Sequence, residues 1–251
     1  MALKELNQRA ATKVARSIVN DIQKRSLRPG SKLDPEHIMV AKQGAARGTV
    51  REALRLLEFQ GTVRIKAGPR GGPEVAVPQI NHLASTLSLQ LQFANATFRS
   101  VLDARKSIYQ VLASEAASHA TYQDIVALRE SLARLKMLTE DSRKAARGAI
   151  EFNELIARAS KNLVLSYLVN ALHQMSEHES VEYSAYHWRS YFKQCEQLLE
   201  AVEAGEEDQA RYISQRTHQA GIRYWEKNYS ELLEKPIEWT SENYQTSWNN
   251  Q

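Results

Sequence analysis

The sequence predicts a mainly α-helical chain in two parts: an N-terminal winged helix-turn-helix, then an antiparallel bundle of six or seven helices. Three observations predict it. Seven of the ten Gly and five of the six Pro lie at or before Pro78, and long helical patterns with little punctuation follow. Residues 1–78 hold 15 Lys and Arg against 7 Asp and Glu, a net of +8; residues 79–251 hold 18 against 22, a net of −4. In GAARGTVREALRLLEFQG (44–61), Arg47, Arg51 and Arg55 recur every four residues, while Val50, Ala53, Leu54 and Leu57 mark a buried stripe.

The elements follow in order. Residues 8–26 read as a helix, with Val14, Ile18 and Ile22 as its buried stripe, and LRPG ends it by turn chemistry. DPEHIMVAKQ starts a second helix, with Asp34 as N-cap and Pro35 at the first helical position. Gly44 breaks it. A third helix runs from Arg47 to Gln60, with Gly61 just past its end. TVRIKAG and PEVAV are short strands around the tip GPRGG. Helix, helix, turn, helix and two-stranded wing make a winged helix-turn-helix over residues 1–78. Helices are expected at 79–94, 97–120, 122–141, 144–160, 162–184, 186–204 and 206–234, the last opening on the acidic GEEDQA. Residues 235–251 read as a polar tail outside the 79–234 bundle, frayed over EWTSENYQTSWNNQ (238–251).

The composition, 43% hydrophobic and 25% charged, is ordinary for a soluble globular protein, and 251 residues allow one large domain or two small ones. No apolar run approaches the roughly 20 residues that span a bilayer, and MALKELNQRA lacks the apolar core of a signal peptide. The single cysteine, Cys195, makes no internal disulfide. The expectation is a cytoplasmic protein with no membrane partner.

A helix can bury one stripe and present another face to the major groove of DNA. Guanidinium suits that face because it bonds the O6 and N7 of guanine together. Arg47 and Arg51 lie early in the third helix, where base-reading residues point. Thr49 and the first-turn amides suit phosphate. Arg55 reaches a phosphate or pairs with Glu52 or Glu58, and Lys66 and Arg70 on the wing suit backbone or minor-groove contact. The alternative for the stripe is a solvated helix face with internal Glu–Arg pairs.

Residues 10–78 resemble the DNA-binding domain of the GntR family of bacterial transcription regulators. LRPGSKL, PEHIMVA, RGTVREALRLLEFQGTVRIKAG and GPRGG carry the likeness. The second part resembles the FadR-type subfamily with its FCD effector domain, through LDARKSIYQVLASEAASHA, FNELIARASKN and EAVEAGEEDQARYISQRTHQAG. The resemblance implies a homodimer on a short palindrome of double-stranded DNA, one recognition helix per half-site, with repression the commoner outcome. It places Arg47 and Arg51 where the family reads guanines, and Gly68 at the wing glycine that nears DNA. His37 stands where the family often has arginine. Ala46 replaces a capping hydroxyl, and Gly48 costs about 1 kcal/mol of helix propensity relative to Ala. Altered half-site recognition is therefore expected.

Many FCD domains hold a metal with one Asp and three His. By the resemblance, Ala149, Asn153 and Cys195 stand at three of those positions, and only His218 has a counterpart. One ligand in four does not hold a metal, so no metal or other cofactor is expected. The same resemblance makes the bundle interior a site for a small organic effector, a carboxylate or acyl compound, met by Arg105. Tyr109 lies one turn on, and Asn153, Tyr191, Cys195 and His218 are candidate lining. Each has a plainer reading: an intrabundle salt bridge for Arg105, a small buried hydrophobe for Cys195, and ordinary core packing for the others.

In HQMSEHESVEYSAYHW, His173/Glu177 and His178/Glu182 repeat an i,i+4 spacing, but no HExxH pattern of a zinc enzyme appears. No nucleophile–base signature or phosphate-binding glycine loop supports an enzyme. The expectation is a non-enzymatic, effector-modulated regulator. An effector-independent architectural DNA-binding dimer, and a metal-dependent helical enzyme with a DNA-binding appendage, are the alternatives.

Overall fold

A computed structural model of the chain describes residues 2–68, 71–176 and 181–239, without the side chains of the first seven residues. The chain divides into two compact units, Met1–His82 and Leu83–Gln251.

In the first unit, α1 (Ala2–Lys24), α2 (Glu36–Gln43) and α3 (Arg47–Phe59) precede β1 (Val63–Lys66) and β2 (Gly72–Val75). Val14, Ala15, Ile18 and Ile22 of α1 meet Val50, Ala53, Leu54 and Leu57 of α3 in one core with Leu33, Met39, Val63 and Val75. The expected stripes of both helices are therefore the buried ones. The strands pair antiparallel, Val63 opposite Val75 and Lys66 opposite Gly72. Residues 30–33 also attach to β2: Leu33 N–H donates to Pro73 O at 2.9 Å and Gly30 N–H to Val75 O at 2.8 Å. The sequence offered only a turn there.

Asp34 is not the N-cap of α2. Pro35 occupies that position in extended conformation, with no side-chain cap. The Asp34 carboxylate is drawn instead to Lys42, 2.6 Å away, and towards Arg25 at 3.7 Å. Gly61 sits one residue beyond the C-cap Gln60 at φ +70°, and a Cβ there would lie 2.5 Å from the His82 ring. Glycine is required on both counts.

The second unit contains α4 (Ile80–Phe93, which begins in the first), α5 (Phe98–His119), α6 (Tyr122–Leu138), α7 (Ser142–Ala159), α8 (Leu163–Ser176), α9 (Ala185–Ala204), α10 (Glu207–Asn228) and the single turn α11 (Ser230–Leu233). Thr97 and Thr121 start α5 and α6 with capping boxes to Ser100 and Asp124. Glu207 and Asp208 stand in the first turn of α10, favourable to its dipole. Leu128, Leu135, Ala145, Phe152, Ile156, Cys195 and Ile213 are among the residues that close one core between the helices.

Three expectations are corrected. The helix expected over 162–184 ends at Ser176. The helix expected over 206–234 breaks at Tyr229, whose hydroxyl donates to Glu182 O and accepts from Glu182 N–H, both at 3.1 Å. Residues 235–239 pack on the helical unit rather than forming a polar tail, and Glu238 and Trp239 are not frayed. Ile237 is 1% exposed and its N–H donates to Ala96 O, while Trp239 Nε1 donates to Ser85 Oγ at 3.0 Å. The apolar Ile237 and Trp239 were masked by the polar residues around them. Residues 240–251 lie outside the described ones.

Candidate functional site

The first candidate is the exposed face of α3. Its apolar stripe is fixed on α1, so the opposite side faces solvent. The side chains of Arg47, Arg51 and Arg55 are 72%, 54% and 77% exposed. Glu36 of α2 brackets two of them: Arg51 Nε donates to Glu36 Oε2 at 2.9 Å, and Arg47 Nε lies 3.6 Å from the same oxygen. Such exposed pairs are worth about 0–1 kcal/mol, so they aim the guanidiniums without holding them from a ligand. Arg55 leans to Glu52 at 3.8 Å. Sequence reasoning missed Glu36, because nothing local links residues fifteen apart.

Ala46 caps α3 without a side-chain bond, and Val50 N–H donates to Ala46 O at 3.1 Å. The amides before Val50 open towards the helix start, beside half-buried Thr49, as an anion cradle. A Cβ on Gly48 would touch nothing. His37 is exposed on α2. Gly68 turns the wing at φ +102° and accepts from Gly71 N–H. Lys66 is exposed but ion-paired, its Nζ 2.8 Å from the largely buried Glu74 carboxylate. Arg70 lies outside the described residues.

The second candidate lies inside the helical unit. Arg105 and Tyr109 on α5, Asn153 on α7, Tyr191 and Cys195 on α9 and His218 on α10 fall on inward or half-buried positions. Tyr109 stacks on His218, ring centroids 4.5 Å apart and planes 16° apart. His218 Nδ1 bonds Ser214 O at 2.9 Å. Arg105 donates from Nη1 to Ser176 Oγ at 2.7 Å and meets His173 Nδ1 through Nη2. The Tyr191 hydroxyl lies near Cys195 and Asn153 without a hydrogen bond of normal geometry. His173 and Ser176 are the members that sequence reasoning did not place. They stand 68 and 71 residues from Arg105, and His173 was weighed only with Glu177, which, like His178, lies outside the described residues.

Burial sets the electrostatics. It pushes the Tyr109 hydroxyl and the Cys195 thiol up to about 12, the Tyr191 hydroxyl well above its usual value, and His218 down to about 4. These groups are neutral at pH 7, so the Arg105 guanidinium is the fixed charge among them. No carboxylate pairs with it among the described residues. Arg105 Nε, Tyr191 Oη and His218 Nε2 are buried without a hydrogen-bond partner there. Unsatisfied buried polar atoms are unfavourable, and a ligand that bonds them removes that penalty.

The donor set does not fit the metal site of the FCD resemblance. Ala149 offers a methyl group, Asn153 an amide and Cys195 a thiol that burial keeps protonated, leaving one imidazole. Among the described residues, no three His, Cys, Asp or Glu side chains gather to hold a metal ion.

A winged helix-turn-helix with an arginine-lined third helix, joined to a helical unit with a buried polar cluster, defines a class of two-domain regulators. Residues 10–71 match the gntR family of bacterial regulatory proteins, and residues 100–220 match the FCD domain. The chain belongs to the gntR family and carries an FCD domain as its second unit. It is 28% identical over 144 residues to the HTH-type transcriptional regulator LutR of Bacillus subtilis (strain 168), across 57% of this chain and 65% of that protein. It is 29% identical over 151 residues to the Exu regulon transcriptional regulator of Escherichia coli (strain K12), across 59% of this chain and 56% of that protein. It is 30% identical over 173 residues to the Uxu operon transcriptional regulator of the same organism, across 68% of this chain and 66% of that protein. The chain thus spans less than two thirds of the length of these curated relatives. The family and these relatives are regulators, not enzymes. A Streptococcus agalactiae GntR structure shares the fold, with a TM-score of 0.65 at 15% identity over 85% of this chain and 99% of that one. No described helix is long and apolar enough to cross a membrane.

Proposed function

We propose that the chain is a cytoplasmic transcription regulator that binds a palindromic operator as a homodimer, represses from it, and responds to a small organic effector in its helical unit. The observation that carries the DNA reading is the pair Arg47 and Arg51, exposed at the start of α3 and aligned by one carboxylate. Two guanidiniums one helical turn apart can read two guanines on neighbouring steps, while the first-turn amides meet phosphate. Lys66 joins a backbone contact by exchanging Glu74 for a phosphate. His37, Thr49, Arg55, Gly68 and Arg70 complete the proposed surface.

The effector reading rests on Arg105, whose Nε is unspent and which has no carboxylate partner among the described residues, surrounded by neutral polar groups. A small carboxylate fits such a site, with Tyr109, Asn153, Tyr191, Cys195 and His218 meeting its uncharged part. No metal is needed for this contact. The unsatisfied atoms favour an effector-dependent regulator over an effector-free architectural protein, because a mere dimerisation bundle gains nothing by burying them.

Selection of bound fragments from the host's genomic DNA, at two salt concentrations, tests the reading. Recovery of one short palindrome at both is the expected result. Binding that is independent of sequence and vanishes with salt rejects operator recognition.

A further inference from the structure

Helix α4 is the element by which the chain passes from the first unit into the second: Ile80–His82 belong to one and Leu83–Phe93 to the other. Its sequence, INHLASTLSLQLQF, contains no Asp, Glu, Lys or Arg with which to anchor itself. Among the described residues, no other helix or strand packs broadly along it. Ala84, Ser85 and Ser88 are nevertheless buried. The segment that follows α11 reaches this helix and bonds to it.

Residues 235–237 lie antiparallel to residues 96–98, which join α4 to α5. Thr97 faces Pro236 in a β-bridge, Ile237 N–H donates to Ala96 O at 2.8 Å, and Phe98 N–H donates to Lys235 O at 3.2 Å. That course carries Trp239 back along α4. Its amide donates to Gln92 Oε1 and its indole Nε1 to Ser85 Oγ, both at 3.0 Å. Ser85 and Gln92 stand two turns apart on one face, so a single residue grips about 10 Å of helix. The segment is rooted where α5 begins and α10 ends. Arg99 of α5 pairs with Glu226 of α10 and with Glu234, just before the segment, at 2.8 Å each. Phe98 meets Trp225, ring centroids 6.3 Å apart. Arg105 and Tyr109 follow on α5, and His218 lies on α10.

We propose that residues 235–239 are a strap that ties α4 to the ends of α5 and α10, with Trp239 the positioning residue through which the helical unit holds the helix leading to the DNA-binding unit. The proposal rests on the operator reading above and adds to it the part that fixes α4. Bonds from one residue to two turns of a thinly packed helix suppress its local opening and pivoting. The functional consequence appears where two DNA-binding units engage one palindrome. Each meets its half-site with its own surface, and the gain from binding both depends on how well the connection between them is set. A loosened α4 lowers that gain and leaves the single contact untouched. The strap also joins α4 to the helices that carry Arg105, Tyr109 and His218. A shift of α10 against α5 reaches Arg99, Glu226 and Glu234, and with them the root of the strap.

Hydrogen exchange read by mass spectrometry on the full chain tests the anchor. Trp239→Ala, and separately the double variant Ser85→Ala/Gln92→Ala, should speed exchange of the amides of residues 84–93 at least about tenfold, with those of α6 and α7 unchanged. Tyr186→Ala, which removes an exposed ring on α9, should leave α4 as in the wild type. Fluorescence anisotropy tests the consequence, with the palindrome recovered by genomic selection and with a duplex holding one half of it. Trp239→Ala should weaken binding to the palindrome at least about tenfold and to the half-site less than about twofold. Unchanged exchange in both variants overturns the strap. Faster exchange with full affinity for the palindrome overturns the positioning role, and so does equal weakening on both duplexes, which marks a general loss of folding. A wild type that selects no palindrome sinks the operator reading, and the exchange result then decides the strap by itself.

Discussion

At the residue scale, the informative feature is which polar atoms are occupied. Arg47 and Arg51 share Glu36 in an exposed setting, and that weak tether is broken at little cost. Arg47→Ala and Arg51→Ala should each weaken operator binding by about 1–3 kcal/mol and relax preference at one base position. Lys66→Ala should weaken all sequences alike and flatten the salt dependence. Fluorescence anisotropy with operator and scrambled duplexes separates the two behaviours; unchanged operator affinity in both arginine variants would remove α3 from the interface. His218 gives a stability prediction. Burial holds it at about 4, against an ordinary imidazole value of 6.5. Between those values the unfolded chain binds the proton and the folded chain does not, so stability falls as pH drops through the window. The full loss approaches about 3 kcal/mol, one pKa unit being 1.36 kcal/mol. His187, stacked on Tyr183 at 4.4 Å and also held near 4 by burial, acts in the same direction. Denaturant titrations at pH 7 and pH 5 should show the decrease, and His218→Gln should reduce it. An identical pH slope in that variant would mean that His218 is solvated.

At the element scale, the helices were legible where burial follows a period and illegible where it follows distant contacts. The stripes Val14/Ile18/Ile22 and Val50/Ala53/Leu54/Leu57 repeat at three and four, and they are buried as read. Asp34 shows the limit. An aspartate before Pro-Glu has the chemistry of an N-cap, but Lys42 and Arg25 draw its carboxylate away. The strand-like docking of residues 30–33 on β2 is made of backbone bonds and leaves no side-chain signature. The segment after α11 is the clearest miss. Five residues that read as polar tail place Ile237 against the helical unit, its amide bonded to Ala96. Ile237→Ala should therefore destabilise that unit by about 2–4 kcal/mol, the usual range for emptying a buried Ile site. Urea unfolding followed at 222 nm measures it. A loss below half a kilocalorie would show that the segment detaches in solution.

At the scale of the whole molecule, the two candidate sites were legible to different depths. Charge segregation and the arginine repeat marked the first from local sequence alone. The buried cluster was named for Arg105, Tyr109, Asn153, Tyr191, Cys195 and His218 by resemblance, and its chemistry came only from the structure. The partners of Arg105 are His173 and Ser176 on another helix, and the unsatisfied atoms are not a property of any sequence window. That chemistry makes a demand on the protein as a ligand-linked system. A compound that binds the folded state alone stabilises it by RT ln(1 + [L]/Kd), about 2.7 kcal/mol at a hundred times Kd. Small organic carboxylates should therefore raise the melting temperature, with no added metal and undiminished by a chelator. Arg105→Ala should abolish the shift, since it removes the fixed charge that the carboxylate meets. The same carboxylate should change operator affinity in the wild type and not in Arg105→Ala, because a ligand alters a second equilibrium only through unequal affinity for its two states. A carboxylate that stabilises Arg105→Ala as much as the wild type would place the effector elsewhere in the chain.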